Sequence, residues 1–501
     1  MLAITITLVS AMTAGEPLTF VNAGLSGYAI RVGVDPIPAE TTAARELQDH
    51  IEQVTGCRLP ILDDASSQGS GKWIYVGRCV GVDEALPGFA WDALGRDGIV
   101  MKTVGDDLIL TGGRPRGALY AVYTFLEDVV GCRWWSSTAS SIPKKPTLTV
   151  PQLDVVYTPQ LIYREAFYRD AFDGVFAARC KCNGHFERVP EEYGGHYEIL
   201  GWCHTFNQLL PPSKYFAEHP EWYSEIDGQR VAERAQLCLT NDAMRAEFVK
   251  NALEWLRKSP DAGIISIAQN DCHGQCQCAA CRALEEKEGA ASGPLIHFVN
   301  AVAEDIEREF PGVLVETLAY TYTREAPKRV KPRKNVIVRL CSIECSFAQP
   351  LATSEQNATF RRDMEAWSPI AYQLYVWDYV TNFRNYLLPH PNMRVLAPNI
   401  RFFVEHKTIG LFEQGDSGCS CSDFPELRAW LLAHLMWDPS RDAGELIDEF
   451  LDGYYGSAAE PLRAYINIIH DAIERAGTYL ACYMTDTSDW FGLEDLNRAT
   501  V

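Results

Sequence analysis

Beyond its first residues the chain has no apolar run long enough to cross a bilayer, which excludes a helical membrane span. It has no Lys- or Arg-rich stretch either. Lys+Arg number 45 against 66 Asp+Glu, for a formal net charge of −21 and a pI of about 5.0. Such a field repels nucleic acid and anionic membrane surfaces. Histidine is scarce, 11 in 501 residues. No His-x-His or His-Glu-x-x-His arrangement occurs, which weakens any metal-dependent hydrolase reading. The glycines of Gly112-Gly-Arg-Pro-Arg-Gly117 are not followed by Gly-Lys-Ser/Thr, so they form no phosphate loop. The 16 cysteines are too few for a disulfide scaffold in a chain this long. What remains is ordinary globular composition, 47% hydrophobic and 22% charged, with core enough for two or three domains.

Residues 1–15 are apolar with small residues near Ala14, the pattern of a secretory leader without its basic start. This predicts a secreted, periplasmic or cell-surface protein; the alternative is a first strand of the mature fold. Residues 16–150 read as an α+β domain. Leu47, Ile51 and Val54 recur at helical spacing before Gly56. Trp73–Gly77 is a strand, and two apolar runs flank Gly105-Asp-Asp107 as a hairpin. Pro143-Lys-Lys-Pro146 marks a boundary.

From about residue 155 to 425 the pattern becomes strand, loop, helix, repeated. Eight candidate strands follow: Leu161–Phe167, Cys180–Asn183, Ile199–His204, Ile264–Gln269, Leu314–Tyr320, Val336–Cys341, Ala371–Trp377 and Ile409–Glu413. Eight β/α units predict a TIM-type (β/α)8 barrel. Residues 426–501 read as a helical extension, with no clear capping element at its end, as in a truncated chain.

The chemistry of such a barrel lies at the C-terminal ends of its strands. Three carboxylates are expected there: Asp271 after the fourth strand, Asp378 on the seventh and Glu413 on the eighth. Glycoside hydrolysis needs two carboxyl groups about the scissile bond. Trp202, Tyr320, Tyr322 and Trp377 would supply an aromatic platform for sugar, with His204, Asn183 and Asn270 as planar polar groups. Arg164 and Glu165 are either a structural ion pair or a clamp for a sugar carboxylate. For Asn270-Asp271 the plainer alternative is a helix cap.

Directly after Asp271 comes Cys272-His-Gly-Gln-Cys-Gln-Cys-Ala-Ala-Cys281. Cys276, Cys278 and Cys281, with Cys272 or His273 as a fourth ligand, have the density of a structural zinc site. Disulfides and free thiols fit the same spacing. No cofactor is required for the catalysis envisaged.

Leu110-Thr-Gly-Gly-Arg-Pro-Arg-Gly-Ala-Leu-Tyr120 with Gly131-Cys-Arg-Trp-Trp135 is similar to the N-terminal α/β domain that precedes the barrel in hexosaminidase-type and α-glucuronidase-type glycoside hydrolases. Tyr163-Arg-Glu165, Trp202-Cys-His-Thr205, His219-Pro-Glu-Trp-Tyr223, Cys238-Leu-Thr240, Gln269-Asn-Asp271 and Glu426-Leu-Arg-Ala-Trp-Leu431 resemble a bacterial family filed as domain of unknown function 4838. The resemblance implies a glycan-processing protein with a carbohydrate substrate. It places the general acid at Asp271, since those barrels hold theirs at the end of the fourth strand, usually as Asp-Glu or a lone Glu. Glu413 or Asp378 would then be base or nucleophile. The rival reading is a barrel that grips sugar without cleaving it.

Overall fold

The computed structural model of the protein describes residues 15–65, 71–419 and 421–500, so the expected leader lies outside the described residues. The chain forms an N-terminal α/β domain, a TIM-type β/α barrel and C-terminal helices. By contacts it divides into two compact units. One holds residues 1–196, 417–420 and 424–464; the other holds 197–416, 421–423 and 465–501. No helix among the described residues is long and apolar enough to cross a membrane.

In the first unit a helix spans Pro38–Thr55 and buries Leu47, Ile51 and Val54 on one face. Gly56 ends it in the left-handed region, φ 77°, where a Cβ would be strained. The strands Ile99–Val104 and Asp107–Gly112 pair antiparallel through a turn that needs Gly105 at φ 61°. Asp154–Tyr157 pairs antiparallel with Ile99–Val104. The N-terminal sheet therefore runs past the Pro143–Pro146 signal. Local turn residues mark a bend in the chain, not the end of its contacts. The helices Pro425–Trp437 and Ala443–Phe450 also belong to this unit, where Trp430 packs against Trp135 and Phe450, rings 5.6 and 5.5 Å apart. The expected extension from residue 426 is thus divided, 426–464 joining the first unit and 465–501 the second.

In the second unit six strands lie in parallel order: Ile199–Leu200, Ile264–Ser266, Leu314–Ala319, Val336–Cys341, Gln373–Tyr379 and Thr408–Gln414. Val336–Cys341 is buried throughout, as its β-branched run requires. The helix Ser292–Glu309 covers the sheet with Leu295, Val299, Val302 and Ile306, each contributing on the order of 2 kcal/mol on burial. The expected strand at Cys180–Asn183 does not form. Those residues close the short helix Gly174–Arg179, with Lys181 at φ 61°.

Candidate active site

The site grows from the chain that follows the Ile264–Ser266 strand. Thr205 zips a second loop to it: its hydroxyl donates to the Ser266 carbonyl at 2.8 Å, and the Ala268 amide donates back to that hydroxyl at 3.0 Å. Trp202 and His204 enter this loop at φ 56° and 54°. Left-handed backbone at bulky residues costs roughly 1 kcal/mol or more each, and such strain gathers at functional sites. His204 Nδ1 lies 2.7 Å from the Gln269 carbonyl. A carbonyl only accepts, so Nδ1 carries a proton and Nε2 is turned toward Asp271 Oδ1, 3.9 Å away.

Asn270 is consumed in holding this geometry. Its amide nitrogen donates to Gln236 Oε1 at 2.9 Å, its Nδ2 to the Ala235 carbonyl at 2.9 Å, and its Oδ1 accepts from the Asn207 amide at 3.1 Å. It is 8% exposed. The expectation that Asn270 binds substrate is corrected: every polar group of its side chain is spent on the loop. Nor does the pair cap the next helix, whose N-cap is Cys278.

Asp271 then stands clear, its side chain 68% exposed, accepting from the Tyr320 hydroxyl at 3.1 Å. Burial, and then the Asp271 charge, push the Tyr320 phenol up, so it keeps its proton and remains a donor. Asp271, Tyr320, Thr321, Arg234 and His273 line an open cleft of about 400 Å³. Sequence reasoning missed Arg234. Its only signal was its place shortly before Gln236, the residue that clamps the Asp271 loop.

Beside the loop is an aromatic wall. Trp202 meets Trp377 and Phe412 at ring distances of 5.6 and 5.0 Å, and Trp377 stacks on Tyr379 at 6.1 Å. The Arg339 guanidinium lies 5.0 Å over Trp202 and 3.1 Å from buried Glu316. Burial pushes the Glu316 carboxyl up, and Arg339 opposes it. Tyr322 is half-buried, 6.0 Å from the His273 ring, and faces the cysteines as well.

Asp378 and Glu413 are brought together, but on the other face. They are register partners on neighbouring parallel strands. Side chains alternate along a strand, and Trp377, Tyr379 and Phe412 already occupy the face toward Trp202 and Arg339. Asp378 and Glu413 therefore point away from the wall, at 2% and 1% exposure. Ser342 donates to Asp378. Burial pushes Asp378 up to about 6; burial and the Asp378 charge raise Glu413 well above the carboxylate range. Their expected place at the barrel mouth is corrected by this alternation.

Arg164, Glu165 and Asn183 belong to the first unit, inside its core. Arg164 donates to Asp97 Oδ2 at 2.8 Å and to the Lys181 carbonyl at 2.8 Å; Asn183 Nδ2 donates to the same Asp97 oxygen at 2.8 Å. Burial opposes the Asp97 charge, but Arg116 and Arg164 hold its carboxyl below the usual range. Glu165 accepts from Tyr163 and from the His185 and Phe186 amides. All three are fully buried. The clamp for a sugar carboxylate is corrected to the structural alternative: these groups tie loops together.

The cysteine loop is also rearranged. Cys276, Cys278 and Cys281 gather with Cys238, their four sulfurs within 4.8 Å of one another. Cys272 is not in this cluster; its sulfur lies 3.9 Å from the Ala235 carbonyl. Cys238, which spacing along the chain does not reveal, takes its place in the cluster.

The fold is an N-terminal α/β domain followed by a β/α barrel. Residues 29–125 match the glycosyl hydrolase family 67 N-terminus. Residues 134–467 match domain of unknown function DUF4838, and the chain belongs to that family. No curated protein matches it. Among solved structures it is similar to a family GH115 4-O-methyl-α-glucuronidase, BtGH115A, described as specific for decorated arabinogalactans. The TM-score is 0.55 at 12% identity, over 92% of this chain and 63% of that one. It therefore spans under two thirds of that enzyme's length. It is also similar to CpGH84B (TM-score 0.53, 12% identity, 96% and 82% covered). A GH138 enzyme targeting pectin rhamnogalacturonan II is similar too (TM-score 0.53, 11% identity, 90% and 70% covered). At these identities the likeness is one of fold.

Proposed function

We propose that the protein is a glycoside hydrolase acting on a poly- or oligosaccharide, with Asp271 as its general acid. The observation that carries this reading is the Asp271 cluster: a carboxylate after a barrel strand, fixed by the Tyr320 hydroxyl and faced by His204, in an open cleft near an aromatic wall. Membership of the DUF4838 family, the family 67 N-terminal match and the fold shared with glycosidases support it. Trp202 offers the sugar a partly exposed aromatic face. Arg234 gives the cleft a cation, which favours an acidic sugar.

A two-carboxylate mechanism needs a partner for Asp271. Asp378 and Glu413 serve it poorly from the far face of their strands. Glu316, on the wall's face and paired with Arg339, is as buried as they are and serves it no better. The burial of Asp378 and Glu413 favours the rival reading, a barrel that binds glycan without cleaving it. A screen of uronic-acid and N-acetylhexosamine oligosaccharides, with products followed by NMR, separates the two. Uronides are the expected first substrates. Binding of oligosaccharide with no product across the panel would reject hydrolysis in favour of recognition.

A further inference from the structure

We propose that Cys238, Cys276, Cys278 and Cys281 bind one structural zinc ion, which fastens the Asp271 loop to the segment before Cys238. The four side chains are buried, come from two separate stretches of chain and converge on one point. Cys238 Sγ lies 3.7 Å from Cys278 Sγ and 3.9 Å from Cys281 Sγ. A tetrahedral ion with zinc–sulfur bonds of about 2.3 Å sets its sulfurs about 3.8 Å apart. Two of the six spacings thus match the edge of a zinc tetrahedron, and the other four fall within 4.8 Å.

The surroundings suit thiolates. The Glu225 amide donates to Cys276 Sγ at 3.3 Å, and the Thr240 hydroxyl meets Cys281 Sγ at 3.2 Å. Arg230 Nη1 is 3.8 Å from Cys276 Sγ. Four thiolates around a divalent ion carry a net charge of −2, of which Arg230, also paired with Glu225 at 3.3 Å, offsets at most one. Cys278 is the N-cap of the helix Ala279–Glu288 and Cys281 lies in its first turn, where the helix dipole favours negative charge. On binding, the four thiols release their protons to solvent and the zinc takes four sulfur lone pairs; no electron is transferred. All-sulfur coordination with no open position is the mark of a structural site.

What the ion would hold is visible in the backbone. Gln236 donates to the Asn270 carbonyl at 3.0 Å and to the Cys272 carbonyl at 2.6 Å, and the Gln277 amide donates to the Glu225 carbonyl at 2.7 Å. The zinc closes this zipper at its far end, so the loop that carries Asp271 is pinned on both sides.

The test is metal analysis of the full-length purified protein after dialysis without chelator. The expected result is about one zinc per chain, with cobalt-grown protein showing the visible absorption and thiolate charge-transfer bands of tetrahedral cobalt. Cys238→Ser should lose at least tenfold in bound metal, while Cys272→Ser keeps it. If Cys238→Ser fails to fold, the wild-type stoichiometry and the Cys272→Ser result still decide. Metal-free protein whose four thiols alkylate freely, a mass deficit showing disulfides among them, iron in place of zinc, or loss of metal in Cys272→Ser would each overturn the proposal.

Discussion

The two faces of the barrel strands treat buried carboxylates in opposite ways. On the face toward Trp202, Glu316 lies 3.1 Å from a guanidinium, and charge is met with charge. On the other face Asp378 and Glu413 lie side by side, the first held by Ser342. Buried like charges cannot both ionise cheaply, so the fold favours protons on the pair. The difference shows that a carboxylate at a strand end is not by itself a catalytic group. Which face it takes depends on whether its number is odd or even relative to its neighbours.

The strongest way to break the comparison is at the mouth. Removing a general acid costs about 10²–10⁴ in rate. Asp271→Asn should cripple hydrolysis of natural glycosides by that factor and largely spare activated aryl glycosides, whose leaving groups need no proton. Asp378→Asn should change activity far less. Steady-state kinetics on both substrate types decide. Equal losses on natural and activated substrates would make Asp271 a sugar-binding group, and a large loss in Asp378→Asn would overturn the contrast between faces.

Next comes the charged pair. Arg339→Met should leave Glu316 buried without its cation, and breaking a buried pair from one side costs about 3–5 kcal/mol. The paired change with Glu316→Gln should recover part of that loss. Urea unfolding of the single and double variants measures it. A single variant as stable as wild type would mean that Arg339 does not compensate Glu316.

These outcomes bear on what was legible in the sequence. The strand Val336–Cys341 was readable because a run apolar at every position but Arg339 suits a strand buried on both faces. Asp271 was readable as a mouth residue because the run before it ends abruptly. Asp378 and Glu413 were misread because they were located by distance from the strand end, with no fixed point for the alternation. Trp377 and Phe412, as neighbours of both, carried that signal once Trp202 was known to face them. Asn183, and Arg164 in its clamp reading, were misread because a tight polar sequence does not reveal Asp97, far upstream, to which both donate. Cys238 carried no such signal, since groups distant along the chain have no spacing rule.

The far face should be visible in the pH dependence of stability. A carboxyl raised in the fold is most stabilising below its unfolded pKa, and that contribution fades as pH rises through the folded value. For Asp378 the window runs from about 4 to about 6; for Glu413 the loss extends higher. A shift of this size corresponds to about 3 kcal/mol. Wild-type protein should lose at least that much between pH 4 and 7 relative to a variant carrying Asp378→Asn and Glu413→Gln, since Glu413 adds to the Asp378 contribution. Parallel urea midpoints across this range would mean that the pair does not share its burial cost in this way.

The smallest expected effect refines the mouth itself. The Tyr320 hydroxyl donates to Asp271 at 3.1 Å, but Asp271 is largely exposed, so water can replace the lost donor. A hydrogen bond exchanged for one to water is worth about 0.5–1.5 kcal/mol. Tyr320→Phe should therefore lower kcat/KM roughly 3- to 10-fold and leave the fold intact, because the ring keeps its contact with His204, 5.8 Å between centroids. The loss should fall on kcat more than on KM if the hydroxyl orients the acid, and on KM if it grips the sugar. A loss as deep as that of Asp271→Asn would make Tyr320 a group that touches the reacting atoms, and the acid would then have to be reassigned between the two.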